Sequence, residues 1–333
     1  MDADIDLVIV DEIFTMHGML IADKLYKEKG IPYAIFGTSH LIPDWHAFTL
    51  ALGHNPVLNP LHGSYIPTNT GEFFDPSSFT HRLRNVIDSG REVSRQEYVF
   101  RNHRSPTNFE HETFCVHNFM KKASLYFRES LDRHRVVPVS ADWRPAGAHC
   151  SKRTPPVLTG ELKEFVEDPN SNGTIYIAFG TIIDFGTCPE SIFNAFFETL
   201  NELPDYRIVM AMRTMKNRTL PHLKNHVKIV PWAPQPSILT HNKTRLFLTH
   251  GGLKSVKEAL CTETPVLVMP IFAEQGVSAT LALKYGFGRA LNKLMFSKND
   301  FLRELREFVD SAKPEVPGKY KSPQNVATRS NCA

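Results

Sequence analysis

Several things that would settle the class of this chain at once are missing from it. No uninterrupted apolar stretch is long enough to cross a bilayer. The N-terminus, Met1-Asp2-Ala3-Asp4-Ile5-Asp6, is acidic and runs straight into an apolar segment, without the basic start or cleavage pattern of a signal peptide. The chain is therefore expected to be neither targeted nor anchored. Strong positive charge is lacking too: the net charge is +3 with 15 histidines counted neutral, and no basic stripe is interleaved with aromatics, so no nucleic-acid partner is expected. The five cysteines, Cys115, Cys150, Cys188, Cys261 and Cys332, lie far apart with no Cys-x-x-Cys or Cys/His spacing. No metal site is expected, and an odd count closes no disulfide framework, so the compartment cannot be read from them. The first aliphatic run, residues 7–10, leads into Asp11-Glu12-Ile13-Phe14 with no glycine cluster, which argues against a Gly-x-Gly-x-x-Gly dehydrogenase.

What is present suits a soluble globular protein. The chain has 333 residues, about two domains' worth, with 42 % hydrophobic and 22 % charged residues. Three Asn-x-Ser/Thr sequons begin at Asn172, Asn217 and Asn242, and they would matter only in a secretory lumen.

Residues 7–10 read as a buried parallel strand and 16–29 as a helix ending at Gly30, with a second strand at 33–36; together they make one βαβ unit. Residues 41–78, rich in Pro, Gly, Asn and His, read as a long functional loop. Two helical stretches are expected at about 79–101 and 109–133. The proline-dotted segment 135–160 reads as an interdomain linker. The second half alternates: strands at 174–179, 207–211, 227–230, 245–249 and 265–269, and helices at 189–203, 252–261 and 274–285. A short strand at 289–292 then leads to a helix opened by Ser297 and Asp300, a capping-box spacing. This is the pattern of a doubly wound α/β sheet. Beyond Ala312 the polar tail is expected to be disordered.

Residues with chemistry cluster where strands end and helices begin, the place at which an open α/β sheet collects a ligand. His250-Gly251-Gly252 follows a strand and opens a helix whose free N–H groups suit a phosphate, with Ser255 in the first turn. Gly180-Thr181 ends another strand and offers a second phosphate contact. Trp232, flanked by Pro231 and Pro234, can present its face to a planar base, and Gln235 is placed to read a base edge. Glu258, about two turns below Gly252 on a face near Ser255, suits ribose hydroxyls. Glu274-Gln275 opens a further helix and suits sugar hydroxyls. Each piece alone reads equally as an ordinary turn, cap or packed aromatic; the order of the pieces is what is specific.

The block Trp232-x-Pro-Gln235, Thr249-His250-Gly-Gly252-x-x-Ser255-x-x-Glu258, Pro265, Pro270, Glu274-Gln275 resembles the UDP-glycosyltransferase pattern, and most of all that of animal UDP-glucuronosyltransferases. The resemblance runs from about Asp6 to about Asp310. It implies an α/β protein of two Rossmann-like domains, the inverting glycosyltransferase B-type fold, here with an incomplete first domain. The expected boundaries are 1–150 for the acceptor-side domain with its linker, 151–311 for the UDP-sugar-binding domain and 312–333 for the tail.

By the same resemblance the chain would transfer a sugar, glucuronate or glucose, from a UDP-sugar to a small lipophilic acceptor. The UDP-sugar is a co-substrate, and no metal or cofactor is used. Trp232 would stack on uracil and Gln235 would contact the uridine; His250, Gly252, Ser255 and Thr181 would hold the diphosphate; Glu258 would take the ribose, and Glu274 and Gln275 the transferred sugar. Asp11 matches the aspartate that orients the catalytic base histidine, for which no counterpart is found, and none of His17, His40, His46, His54 or His62 can be placed beside it. Lys254 stands where the family often has Asn, and Glu274 where Asp is commoner. Relatives are membrane proteins of the endoplasmic reticulum facing the lumen. Two readings stay open: a glycosyltransferase short of its base, and a catalytically inactive UDP-sugar-binding or regulatory fragment that pairs with longer family members as a homo- or hetero-oligomer.

Overall fold

The computed structural model describes residues 4–11, 16–37, 77–84, 86–87, 114, 116–129, 143–146, 150–151, 154–213, 215, 218–271, 275–293 and 297–310. These fall into two compact units, one ending before Cys150 and one beginning with it. The expected tail and nearly all of the expected 41–78 loop lie outside the described residues.

The first unit is a parallel sheet of β1 (Val8–Asp11), β2 (Tyr33–Gly37), β3 (Leu125–Glu129) and β4 (Trp143–Ala146), in that spatial order, with α1 (Met16–Lys29) and α2 (Val116–Lys122). Its core gathers Val10, Met19, Ala22, Tyr33, Ile35, Phe119, Met120 and Tyr126. Tyr33 stacks on Phe119 at 4.3 Å between ring centroids, and its hydroxyl donates to the Phe119 carbonyl at 2.6 Å. A buried phenol needs such an acceptor, because water is out of reach.

Two expectations differ from the structure. The 109–133 segment is not one helix: α2 ends at Lys122 and β3 starts at Leu125. Tyr126 and Phe127 favour a pleated, half-buried surface, and pairing with β2 outweighs the helical spacing. The 135–160 segment is not linker throughout, since Trp143–Ala146 pairs with β3 as β4 and Gly160–Val166 forms a helix, α3.

The second unit holds a six-stranded parallel sheet. In chain order its elements are α3, β5 (Thr174–Ala178), α4 (Glu190–Asn201), β6 (Arg207–Ala211), β7 (Val227–Val230), α5 (Gln235–Leu239), β8 (Thr244–Thr249), α6 (Leu253–Cys261), β9 (Val266–Val268), α7 (Gln275–Lys284), β10 (Gly288–Ala290) and α8 (Lys298–Val309). The spatial order is β10-β9-β8-β5-β6-β7. The chain thus winds outward from β5 through β6 to β7, returns to the middle as β8, and winds outward the other way. The direction of winding reverses between β5 and β8, and a crevice opens at the carboxyl ends of the two strands at such a point.

The sequence favours this sheet for simple reasons. β5 is buried at every position, with Ile175, Tyr176, Ile177 and Ala178 running on from Thr174, as suits a central parallel strand. α4 buries Phe193, Phe196, Phe197 and Leu200, the i, i+3, i+4, i+7 stripe of a helix with one apolar face. Phe196 stacks on Phe301 of α8 with centroids 5.2 Å apart. Truncating a phenylalanine in such a cluster costs about 3–5 kcal/mol. The Ser297 hydroxyl accepts from the Asp300 N–H at 3.1 Å and fixes where α8 starts.

A disulfide joins Cys150 to Cys261, 111 residues apart, and overturns the expectation that the cysteines close no bridge. Spacing alone gave no hint of it, because the two meet only after α6 has packed. Among the described residues, Cys188 is a free thiol.

Candidate functional site

The site is built on the loops that leave β5 and β8. Ala178 and Thr249, the last residues of these neighbouring strands, are register partners. The two loops therefore emerge side by side: Phe179-Gly180-Thr181 and His250-Gly251-Gly252.

Glycine is required twice in this turn system. Gly180 has φ +72° and Gly251 φ +92°, backbone conformations in which a side chain is strained. A β-carbon on Gly251 would lie 2.6 Å from Val268 Cγ1 and 3.1 Å from the Gln275 carbonyl oxygen. One on Gly180 would lie 3.0 Å from His250 Cε1, and one on Gly252 2.7 Å from His250 Nε2. The imidazole of His250 is thus seated between the β5 loop and the start of α6. Thr249 Oγ1 accepts from the Gly251 N–H at 3.3 Å and tightens the turn.

Burial pushes the His250 pKa down to about 4, and the Ala178 backbone offsets this only in part. The ring is neutral at pH 7, and its buried Nδ1 has no hydrogen-bond partner. A neutral imidazole contacts a phosphate as a dipole and a single N–H donor, not as a cation.

Gln235, Ser255 and Glu258 come together although they sit on two helices. Gln235 Nε2 donates to Glu258 Oε2 at 2.8 Å and to Ser255 Oγ at 3.1 Å. Its Oε1 accepts from the Tyr176 hydroxyl of β5 at 3.3 Å. Both N–H groups of the amide are therefore engaged and its oxygen already accepts one bond, so a base would use the second lone pair of that oxygen or replace one of these contacts. Burial, with Glu258 nearby, pushes the Tyr176 phenol far above its usual pKa, so it stays a donor. The sequence reading missed Tyr176. Its signal was a phenol inside a fully buried strand, which must find a partner.

Trp232 follows β7, three residues before Gln235, and is 74 % exposed. Ala233 beside it is buried, and its carbonyl accepts from the Gln235 N–H at 2.8 Å, so the loop is held while the indole stands in solvent. Thr181 and Lys254 are also exposed.

Gln275 is different. It is only 3 % exposed, and its Oε1 accepts from the Ile271 N–H at 2.8 Å, which pins the loop after β9. Lys293 Nζ donates to the Ile271 carbonyl, a second brace on that loop that the sequence did not suggest. Glu274 lies outside the described residues. In the other unit Asp11 closes β1 at its carboxyl end, and His17 is an exposed residue of α1. His40, His46, His54 and His62 lie outside the described residues. Among the described residues no group of three His, Cys, Asp or Glu side chains is placed to hold a metal ion. None of the described helices is long and apolar enough to cross a membrane.

The chain has counterparts among known proteins. The sequence profile of the UDP-glucoronosyl and UDP-glucosyl transferase family matches residues 47–316. The chain belongs to this family. UDP-glucuronosyltransferase 2A2 of Mus musculus is 27 % identical over 314 residues, covering 92 % of this chain and 54 % of the relative. UDP-glycosyltransferase UGT5 of Dactylopius coccus is 23 % identical over 314 residues, covering 92 % and 56 %. The chain thus spans about half the length of the curated relatives it matches. Among solved structures, a UDP-glucose:anthocyanidin 3-O-glucosyltransferase in complex with UDP superposes with a TM-score of 0.57 at 17 % identity, covering 97 % of this chain and 71 % of that one. Phytolacca americana UGT2, complexed with UDP-2-fluoro-glucose and pterostilbene, gives 0.54 at 17 % identity, covering 96 % and 69 %. At such identities these two comparisons establish the fold of this family member, two Rossmann-like α/β units.

Proposed function

We propose that the second unit binds a UDP-sugar at the carboxyl ends of β5 and β8, and that the protein moves the sugar to the hydroxyl of a small lipophilic acceptor. The observation that carries this reading is the Gln235–Ser255–Glu258 cluster beside the seated His250. It brings a carboxylate suited to ribose hydroxyls and donors suited to a diphosphate to one strand reversal. In this reading the exposed face of Trp232 stacks on uracil, and Gln235 borders the uridine while holding Glu258 toward the ribose hydroxyls. Thr181, Ser255, the neutral His250 and the N–H groups at Gly252 take the diphosphate. Glu274 and Gln275 border the transferred hexose or glucuronate, Gln275 chiefly by fixing the loop after β9.

The chemistry is a displacement with inversion. The acceptor oxygen attacks the anomeric carbon as the bond to the β-phosphate breaks, and UDP leaves with its new charge facing the helix start and the His250 donor. The acceptor proton must pass to a base; the family resemblance assigns that task to a histidine oriented by Asp11, and the sequence offers no counterpart of that histidine, so transfer by this chain depends on another base.

A second reading, a UDP-sugar-binding module that acts beside longer family members, is favoured by one observation. β1 is an edge strand of the described sheet, with Leu7 50 % and Ile9 60 % exposed, which is apolar surface suited to a partner. Incubation with UDP-glucuronate or UDP-glucose and a phenolic acceptor separates the two. Glycoside formed together with UDP supports transfer. Bound UDP without glycoside supports the module. Absence of UDP binding refutes both.

A further inference from the structure

The end of the second sheet opposite the proposed donor site carries two of the sequons. Asn172-Gly173-Thr174 leads into β5, and Asn242-Lys243-Thr244 leads into β8. Both asparagines are exposed, whereas Thr174 is buried at the start of its strand. Thr174 and Thr244 are register partners, and the Thr174 N–H donates to the Lys243 carbonyl at 2.7 Å. The two sequons therefore sit side by side on adjacent turns at the amino ends of neighbouring parallel strands. Each strand carries the chain away from this end by roughly 15 Å before it reaches the loops of His250 and Gly180. A bulky group on either asparagine would point into solvent and leave the crevice open. The third sequon, at Asn217, lies outside the described residues.

A sequon is modified only in a secretory lumen, and an independent feature of the same unit speaks to the compartment. The Cys150–Cys261 disulfide lies wholly within the second unit and closes a loop of 111 residues. Bridges of this kind persist in oxidising compartments and are rare where glutathione keeps thiols reduced. Forming it removes two electrons and two protons from the paired thiols, which pass to the disulfide of an oxidoreductase of that compartment.

We propose that the chain carries N-linked glycans at Asn172 and Asn242, added in the same oxidising lumen in which Cys150 and Cys261 pair. In each transfer the side-chain amide nitrogen attacks the anomeric carbon of a polyprenyl-diphosphate-linked oligosaccharide. A C–N bond forms, the C–O bond to the diphosphate breaks, the nitrogen gives up a proton, and the polyprenyl diphosphate leaves. The transfer precedes folding, while the threonine hydroxyls are still accessible. Afterwards Thr174 Oγ1 reaches the Val166 carbonyl at 3.5 Å, and Thr244 Oγ1 the Ile238 carbonyl at 2.5 Å.

The test uses protein isolated from its own cells without reductant. Peptide N-glycosidase treatment in heavy-oxygen water, followed by peptide mapping, is expected to convert Asn172 and Asn242 to labelled aspartate. The same map is expected to return Cys150 and Cys261 as one disulfide-linked pair. Asn172→Gln and Asn242→Gln should each remove one step from the glycosidase-sensitive gel shift and leave UDP affinity unchanged. Recovery of both asparagine peptides unmodified overturns the proposal, whatever the state of the cysteines. Recovery of one unmodified overturns the assignment at that residue.

Discussion

Gln235 donates from Nε2 to Glu258 Oε2 at 2.8 Å, and this bond ties the start of α5, which follows β7, to α6, which follows β8. Two segments that leave the sheet on different strands are thereby locked into one wall of the crevice. Hydrogen bonds to a charged group contribute about 1.5–3 kcal/mol. Glu258→Ala is therefore expected to weaken UDP binding by at least roughly tenfold. In a double-mutant cycle with Gln235→Ala, the two changes should couple by about 1 kcal/mol or more in urea unfolding. Independent, additive effects would contradict the brace.

Trp232 tests base stacking without disturbing the fold. Its indole is 74 % exposed, so removing it leaves no cavity. Stacking of a base on an aromatic side chain is worth about 1–3 kcal/mol, so Trp232→Ala is expected to weaken UDP roughly 5- to 150-fold. The unfolding free energy should move by less than about 0.5 kcal/mol, as for other exposed positions. Trp232→Phe should recover part of the affinity. Calorimetry and urea melts on the same preparations report both quantities.

The two glycines after His250 make opposite predictions. Gly251 has φ +92°, and an added β-carbon would press into Val268 Cγ1 at 2.6 Å, so Gly251→Ala should destabilise the second unit by roughly 1–3 kcal/mol. Gly252 has φ −56°, which any residue tolerates, but its β-carbon would meet His250 Nε2 at 2.7 Å. Gly252→Ala should therefore displace the imidazole and weaken UDP by roughly tenfold, the loss of one hydrogen bond to a charged group, with the smaller effect on stability. The comparison of melting temperature with UDP affinity across the pair checks this.

Much of the second unit is legible in the sequence because its local signals agree. Apolar runs, glycine or proline breaks and one capping serine mark its strands and helices within a residue or two. The first unit reads less well: β3 and β4 are short, hold Arg128 and Arg144, and take their strand character from pairing, which no local window contains. At the site, sequence order pointed to Trp232, Gln235, His250, Ser255 and Glu258. It could not reveal that the Gln235 amide is engaged by Ser255, Glu258 and Tyr176, because those contacts span 20, 23 and 59 residues. The Cys150–Cys261 bridge escaped for the same reason.

His250 sets a pH dependence whose sign is fixed. Folding lowers its pKa from 6.5 to about 4. Between those values the unfolded chain binds a proton that the folded one refuses, so stability is complete above pH 6.5 and is lost as the pH falls toward 4. Between pH 7 and pH 5 the contribution amounts to about 2 kcal/mol. Urea unfolding at the two pH values should show this loss in the wild type, reduced by about that amount in His250→Gln. An equal pH slope in both proteins would remove His250 as the cause.

Calorimetric titration of the folded chain with UDP probes the proposed donor crevice most directly. Saturable binding at one site per chain is expected, competed by UDP-glucuronate or UDP-glucose and weakened in both Trp232→Ala and Glu258→Ala. No binding heat at millimolar UDP, or an affinity unchanged in both variants, would show that the loops after β5, β7 and β8 do not form the uridine diphosphate site.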